Sequence, residues 1–174
     1  MTVQQRLLDV PLAGVYPIDV AEANEFIALW GHDLGPVNRP FRQEGYALEV
    51  AGHVVSVSTS GSIVNGPVAG YDRDQVVELT RLCSAPGASF YTRVMLRLWR
   101  ETCARTWPLW PIAAAVSYSE NAKHRGHIYR DDGWRKVRED AGAGKTPSVW
   151  GRRRDGEPYS AAGPKTLWCW EYAS

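Results

Sequence analysis

Glu120 and Tyr129 are the two side chains of this sequence whose types suit proton transfer at a reacting nitrogen: a carboxylate to collect a proton, and a phenol to donate one or to stabilise developing charge. Arg81 adds a planar guanidinium able to clamp a carboxylate or phosphate with two parallel donors. Each has a plainer reading. Arg81 and Glu120 would equally serve as a structural ion pair, and Tyr129 as a packed tyrosine with a satisfied hydroxyl.

The elements that must position these groups are legible around them. Gln75 to Leu82 is rich in β-branched and apolar residues and reads as a strand, whereas Phe90, Val94, Met95, Leu98 and Trp99 recur at helical spacing. Ile112 to Val116 is a short continuous apolar run, as expected of a strand buried in a covered sheet. The unit is βαβ, and open α/β sheets bind ligands at the carboxyl ends of their strands. Between strand and helix, Ser84-Ala85-Pro86-Gly87-Ala88-Ser89 is a turn that opens a helix, where N–H groups lack intrahelical partners and negative charge is favoured. Gly87 lets a ligand approach the backbone, and Ser89 reads as the helix cap. Cys83 sits where the strand enters this turn, either as a nucleophile or as a buried thiol.

Elsewhere, Val15 to Ile18 reads as a strand. Asp19 opens a helix with an acid three positions on and an apolar face of Val20, Ala23, Ile27 and Trp30. Tyr46–Val50 and His53–Ser60 flank a hairpin turn at Ala51-Gly52, and alternation places His53, Val55, Val57 and Thr59 on one face. Residues 61–70 read as either a bulged strand or a loop. Asn121 to Arg130 reads as a short helix, Trp134 to Val137 as a strand, and Thr166 to Tyr172 as a closing strand with Trp168, Trp170 and Tyr172 on one side.

With 174 residues and 44% apolar content, the chain reads as one domain over 1–174 with a long basic Gly/Pro-rich loop at about 139–163. Mean hydropathy is −0.33, and no apolar stretch approaches the ~18 residues a bilayer span needs. Met1 to Arg6 lacks the plan of a signal peptide, so the expectation is a soluble protein inside the cell, with no membrane partner. The cysteines, Cys83, Cys103 and Cys169, are odd in number and far apart, which favours reduced thiols.

Net charge is only +1, but from Asn121 to Arg154 basic residues outnumber acids. Lys123, Arg125, Arg130, Arg135, Arg152, Arg153 and Arg154, interleaved with Tyr129, Trp134 and Trp150, suit phosphate neutralisation and base stacking, or else a solvated basic face. His124 and His127 share one face of the short helix. With Glu120 and His32 they could bind a metal, a two-histidine, one-carboxylate arrangement among them suiting iron, or they are phosphate contacts. His32, at a helix exit, is either a site residue or a surface imidazole.

The succession of strand, helix, hairpin, strand, helix, strand, helix and strand, the turn into the central helix, and Tyr129 followed by Asp132-Gly133-Trp134 together resemble the GNAT N-acyltransferase fold. The resemblance implies an α/β (α+β) domain with a mixed, mostly antiparallel sheet, a V-shaped parallel splay and flanking helices. It also implies an acyl-CoA cofactor, with Tyr129 beside the leaving thiolate and Cys83, Ser84, Gly87, Ala88 and Ser89 around the pyrophosphate. The turn departs from the family pattern in having one glycine and a proline that removes a donor.

Glu78-Leu79-Thr80-Arg81-Leu82, Ser117-Tyr118-Ser119-Glu120, His124, Gly126, Ile128 and Tyr129 resemble more narrowly the Mom-like branch of that fold, found in phages and mobile elements and modifying DNA adenine. That likeness implies Arg81, Ser117, Glu120, Tyr129 and His32 as the functional set, DNA and a small-molecule group donor as partners, and the bacterial host cytoplasm as the location. The expectations are a transferase acting on a nucleobase amine in DNA, an acyl-CoA-dependent N-acyltransferase on a small amine or peptide, or a non-catalytic DNA- or protein-binding module.

Overall fold

The computed structural model describes residues 12–39, 41–64, 66–121, 126–141 and 164–173. In chain order they form β1 (Ala13–Ile18), α1 (Val20–Leu29), β2 (Gln43–Val50), β3 (His53–Gly61), β4 (Val76–Ser84), α2 (Ser89–Leu98), β5 (Ala114–Glu120), α3 (His127–Asp131), β6 (Arg135–Ala141) and β7 (Lys165–Glu171). The strands make one seven-stranded sheet in the order β1-β2-β3-β4-β5-β7-β6. Every neighbouring pair is antiparallel except β4 and β5. The expected mixed sheet with a single parallel pair is therefore present. No described helix is long and apolar enough to cross a membrane.

The β2–β3 hairpin closes at Ala51 and Gly52, whose φ values of 51° and 80° are those of a tight turn matched to strand twist. Helix α1 covers one face of the sheet, packing Ile27 on Ala47, Val57 and Cys83. Helix α2 covers the other, packing Met95, Leu96 and Trp99 on Tyr46, Leu48, Val77, Leu79 and Ala115. Trp99 is fully buried and its indole N–H donates to Ser60 Oγ at 2.8 Å. Truncating such a side chain to alanine costs about 3–5 kcal/mol.

Two irregularities break the period-two alternation that the sequence suggested. Between Leu48 and Glu49 the partner on β3 jumps from Ser56 to Val54, so Val55 is an extra residue. Val55 consequently packs with the α2 cluster while Val57 packs under α1, and the two do not share a face. On β4, Arg81 pairs with Thr59 and Leu79 with Ser60, which leaves Thr80 as the extra residue. Its hydroxyl turns back onto Thr59 Oγ1 at 2.6 Å and Thr59 O at 3.0 Å. A bulge bends its strand and raises the local twist. The bend falls where β4 leaves β5: Leu79↔Ser117 is the last pair in their parallel register, after which β4 follows β3 and β5 follows β7. The sheet forks at that point.

Several local expectations are corrected. Ser89 is the first residue of α2 rather than its cap; Ala88 holds the cap position without a side-chain hydrogen bond. Asp19 caps α1 by position only, its side chain making no cap hydrogen bond. Phe90, counted on the buried face of α2, is 71% exposed. Helix α2 runs into a π-helical turn, Trp99–Cys103, where both Trp99 and its neighbour Arg100 are buried. The wider turn accommodates two consecutive inward side chains. Helix α3 spans only His127–Asp131; residues 122–125 lie outside the described residues, as do 142–163. Among the described residues of 61–70, β3 ends at Gly61 and the rest are loop with an isolated bridge from Val68 to Tyr71.

Candidate active site

A cleft of about 590 Å³ opens at the fork. Its walls are the ends of β4 and β5, the exit of α1, the first turns of α2, and α3. His32, Arg81, Ser117, Glu120 and Tyr129 all line it, together with Ser89 and His127. Residues far apart in sequence thus meet because the two parallel strands diverge there.

Tyr129 is the most constrained of these groups. It is 7% exposed, and its hydroxyl lies 2.9 Å from Ser117 Oγ. Ser117 Oγ in turn donates to the Leu79 carbonyl at 3.2 Å. A carbonyl can only accept, so the serine proton is committed to Leu79 and the tyrosine proton to Ser117. Burial, partly offset by the Ser117 hydrogen bond, pushes the Tyr129 phenol above its ordinary range. It is therefore held protonated, the state a general acid requires.

The ring itself is held by tryptophans. Trp168 stacks on Tyr129 with centroids 5.7 Å apart and planes 16° apart, and Trp134 meets it edge-on at 5.4 Å. The indole N–H of Trp168 donates to Ser119 Oγ at 2.9 Å. Gly126, with φ of 67°, makes room for this stack, since a Cβ there would lie 2.3 Å from the Trp168 ring. The closing strand's alternation placed Trp168 on the correct side, but nothing in the sequence tied it to Tyr129.

Arg81, in the cleft wall, also binds backbone. Its Nε donates to Gly35 O at 2.8 Å, one terminal nitrogen to Thr80 O at 2.7 Å, and the other to Leu34 O at 3.4 Å. These bonds fasten the loop after α1 to the end of β4. The same loop is secured by Asn24, which exchanges two hydrogen bonds with the backbone of Val37, at 2.8 and 2.9 Å. His32, on that loop, accepts the Leu34 N–H at Nδ1, 3.1 Å away, so its neutral ring carries the proton on Nε2.

Glu120 stands opposite Lys165 in the β5–β7 register. Behind them lies a polar cluster that the sequence did not announce. Arg39 forms a bidentate pair with Glu78 at 2.6 and 2.7 Å. Burial and the nearby Glu78 carboxylate push the Tyr118 phenol up to about 12. Burial lowers the Lys165 ammonium, with Glu78 and Glu120 opposing and Arg81 and Arg39 assisting.

The turn into α2 has a mixed fit to a diphosphate. Ala85 N–H is spent on Val55 O, Ala88 N–H on Ala85 O and Tyr91 N–H on Ala88 O, while Pro86 has none. The N–H groups of Gly87, Ser89 and Phe90 are left without a backbone acceptor among the described residues, and a Cβ at Gly87 would meet nothing within 4 Å. The Cys83 side chain is not on this surface. The bulge turns it under α1, where burial pushes its thiol up, a position that suits the buried-thiol reading rather than the cofactor contact or the alternative of a nucleophile. Ser84 Oγ is occupied by Ser56 and Thr92, both at 2.8 Å.

Among the described residues no group of three or more His, Cys, Asp or Glu is placed to hold a metal, and His124 lies outside them. Of the basic set, Arg130 pairs with Asp131 at 3.0 Å and Arg135 with Glu171. Lys123, Arg125, Arg152, Arg153 and Arg154 lie outside the described residues.

A mixed sheet that forks between two parallel strands, with a helix leaving the first and a tyrosine-bearing helix following the second, defines the GNAT fold. Solved structures bear this out. An IAA acetyltransferase from Bacillus cereus superposes with a TM-score of 0.59 at 14% identity, covering 92% of this chain and all of its own. The Bacillus subtilis acetyltransferase in complex with CoA gives 0.59 at 12%, covering 94% and 99%. An acetyltransferase of the GNAT family from Streptococcus pneumoniae gives 0.54 at 9%, covering 92% and 100%. No protein-family model and no curated protein matches the sequence.

Proposed function

We propose that this protein is an acyl-CoA-dependent N-acyltransferase whose reaction centre is the fork between β4 and β5. The observation that carries the reading is the buried Tyr129 hydroxyl, its phenol pushed up by burial, at a fork whose wall also includes Glu120. Acyl-CoA, when bound, supplies a thioester carbonyl activated toward amines. The residues present fit it: the open edge of β4 beyond Leu79 faces the cleft with backbone amide groups, and the amides of Gly87, Ser89 and Phe90 with the Ser89 hydroxyl suit a diphosphate. Glu120 Oε collects the proton of the acceptor amine, and Tyr129 Oη delivers its own to the departing sulfur. Ser117 positions the phenol by the hydrogen bond it shares with it, the tyrosine proton leaving that bond for the sulfur, and the proton collected by Glu120 is returned through solvent to the tyrosinate to reset both groups.

Purified protein should be stabilised by acetyl-CoA in thermal unfolding. At a hundredfold excess over Kd the gain is about 2.7 kcal/mol. Absence of any shift with CoA, acetyl-CoA and longer acyl-CoAs would sink the reading.

The basic excess over 121–154 favours a second reading, modification of a nucleobase amine in DNA with the same Glu120 and Tyr129. Against it, the two members of the expected basic set within the described residues, Arg130 and Arg135, are already engaged with Asp131 and Glu171. Salt-dependent DNA binding together with altered nucleoside mass in cellular DNA after expression would move the assignment to this second reading.

A further inference from the structure

Three residues after Tyr129, the carboxylate of Asp132 is the meeting point of three elements. Arg100 Nε reaches it at 2.6 Å from the π-helical turn, Arg97 Nε at 3.0 Å from α2, and the Trp134 indole N–H at 3.1 Å from the entry to β6. Both Asp132 and Arg100 side chains are 7% exposed, and the Arg100 guanidinium lies 3.8 Å over the ring of Trp170 on β7. Arg100 also pairs with Glu101. The cost of burying this charge pair is not repaid by any contact with the cleft, since neither residue lines it.

What the pair does touch is the support of α3. That helix has a single turn and a half, too short to hold a shape by itself. Its C-terminal end is tied down by Asp132, and the indole that Asp132 holds by its N–H is the one that meets Tyr129 edge-on. We propose that Asp132 and Arg100 are positioning residues that fix the orientation of Tyr129 through α3 and Trp134, and so set the proton-donating geometry without contacting substrate. This rests on the acyl-transfer reading above.

The test is a double-mutant cycle on kcat, with folding of each variant checked by thermal unfolding. Tyr129→Phe should lower kcat by roughly a hundredfold or more, the usual worth of a general acid. Asp132→Asn should lower kcat by about ten- to a hundredfold with KM for acyl-CoA little changed, as misplacement of a reacting group does. In the Tyr129→Phe background, Asp132→Asn should cause no further loss. Arg100→Lys, which keeps a cation between Asp132 and Trp170, gives a second cycle with the same expectation should Asp132→Asn fail to fold. Losses that multiply in folded double mutants overturn the positioning role while leaving Tyr129 as the acid. An undiminished kcat in Tyr129→Phe overturns the acid itself.

Discussion

Trp168 lies flat against Tyr129, 5.7 Å between ring centroids, only because position 126 carries no Cβ. The stack, the Trp168–Ser119 hydrogen bond and the Tyr129–Ser117 hydrogen bond together turn two strands and one short helix into a single wall of the cleft.

Gly126→Ala should break that wall. The added carbon meets the indole at 2.3 Å, and φ of 67° is unfavourable for alanine. Overpacking of this kind costs about 1–3 kcal/mol. Urea unfolding should show a lower midpoint with unchanged m, and Trp168→Ala in the same chain should recover part of the loss.

Ser117→Ala should be felt at Tyr129. The buried phenol loses its acceptor, an unsatisfied group worth about 1–3 kcal/mol. Burial raises the Tyr129 phenol, with the Ser117 contact offsetting only part of the rise. In the wild-type protein the protonated phenol therefore persists beyond the pH at which a free tyrosine ionises, ~10. A kcat profile descending through pH 9 with the tyrosine's ionisation would contradict this.

Glu78→Gln should be among the more damaging neutral-charge changes. It leaves the Arg39 guanidinium without its bidentate partner, and Arg39 also donates to Ser62 O and accepts from Gln43 through its own carbonyl. Breaking a buried pair costs 3–5 kcal/mol, and Arg39, 21% exposed, argues for about 3. Thermal unfolding measures it; Arg39→Met with Glu78→Leu should be better tolerated than either single change.

Asp132 gives the acid dependence. Burial alone would raise its carboxyl, but hydrogen bonds from Arg100, Arg97 and Trp134 and the Arg100 charge outweigh that and hold it below the ordinary carboxylate range. A depressed carboxyl contributes stability in full above its unfolded pKa, ~3.9, and loses it as pH falls through the folded value. The gap in unfolding free energy between wild type and Asp132→Asn should thus be constant from pH 7 to about 5 and narrow below about 4. A gap that widens toward acid contradicts the assignment.

The fold was legible wherever a pattern is carried by side-chain type. The Ala51-Gly52 turn, the apolar stripe of Ala23 and Ile27, and the short run ending at Val116 each follow from local chemistry, and the succession of elements along the chain follows from such signals. The gathering of Glu120, Tyr129 and Ser117 was legible from resemblance rather than from periodicity. What escaped was of two kinds. The bulges at Val55 and Thr80 insert ordinary β-branched residues, with no signature to distinguish them from regular strand positions, and they reversed the facing of everything that followed. The Arg39–Glu78 and Arg100–Asp132 pairs join residues distant in sequence, and an arginine that will be buried looks the same in sequence as one that will be solvated.

The extra residue at Thr80 also fixes how the molecule must be engineered. It carries Arg81 and Cys83 to the side of α1 and leaves Leu82 and Ser84 toward α2. Deleting Thr80 would leave Leu79 opposite Ser60 and Arg81 opposite Thr59 in an unbroken ladder, so those facings would survive, but the bend that parts β4 from β5 would be lost and the two parallel strands would zip further together. The width of the gap is thus set by a count of peptide units, and grafts or chimeras of this region must preserve that count before any side chain is considered.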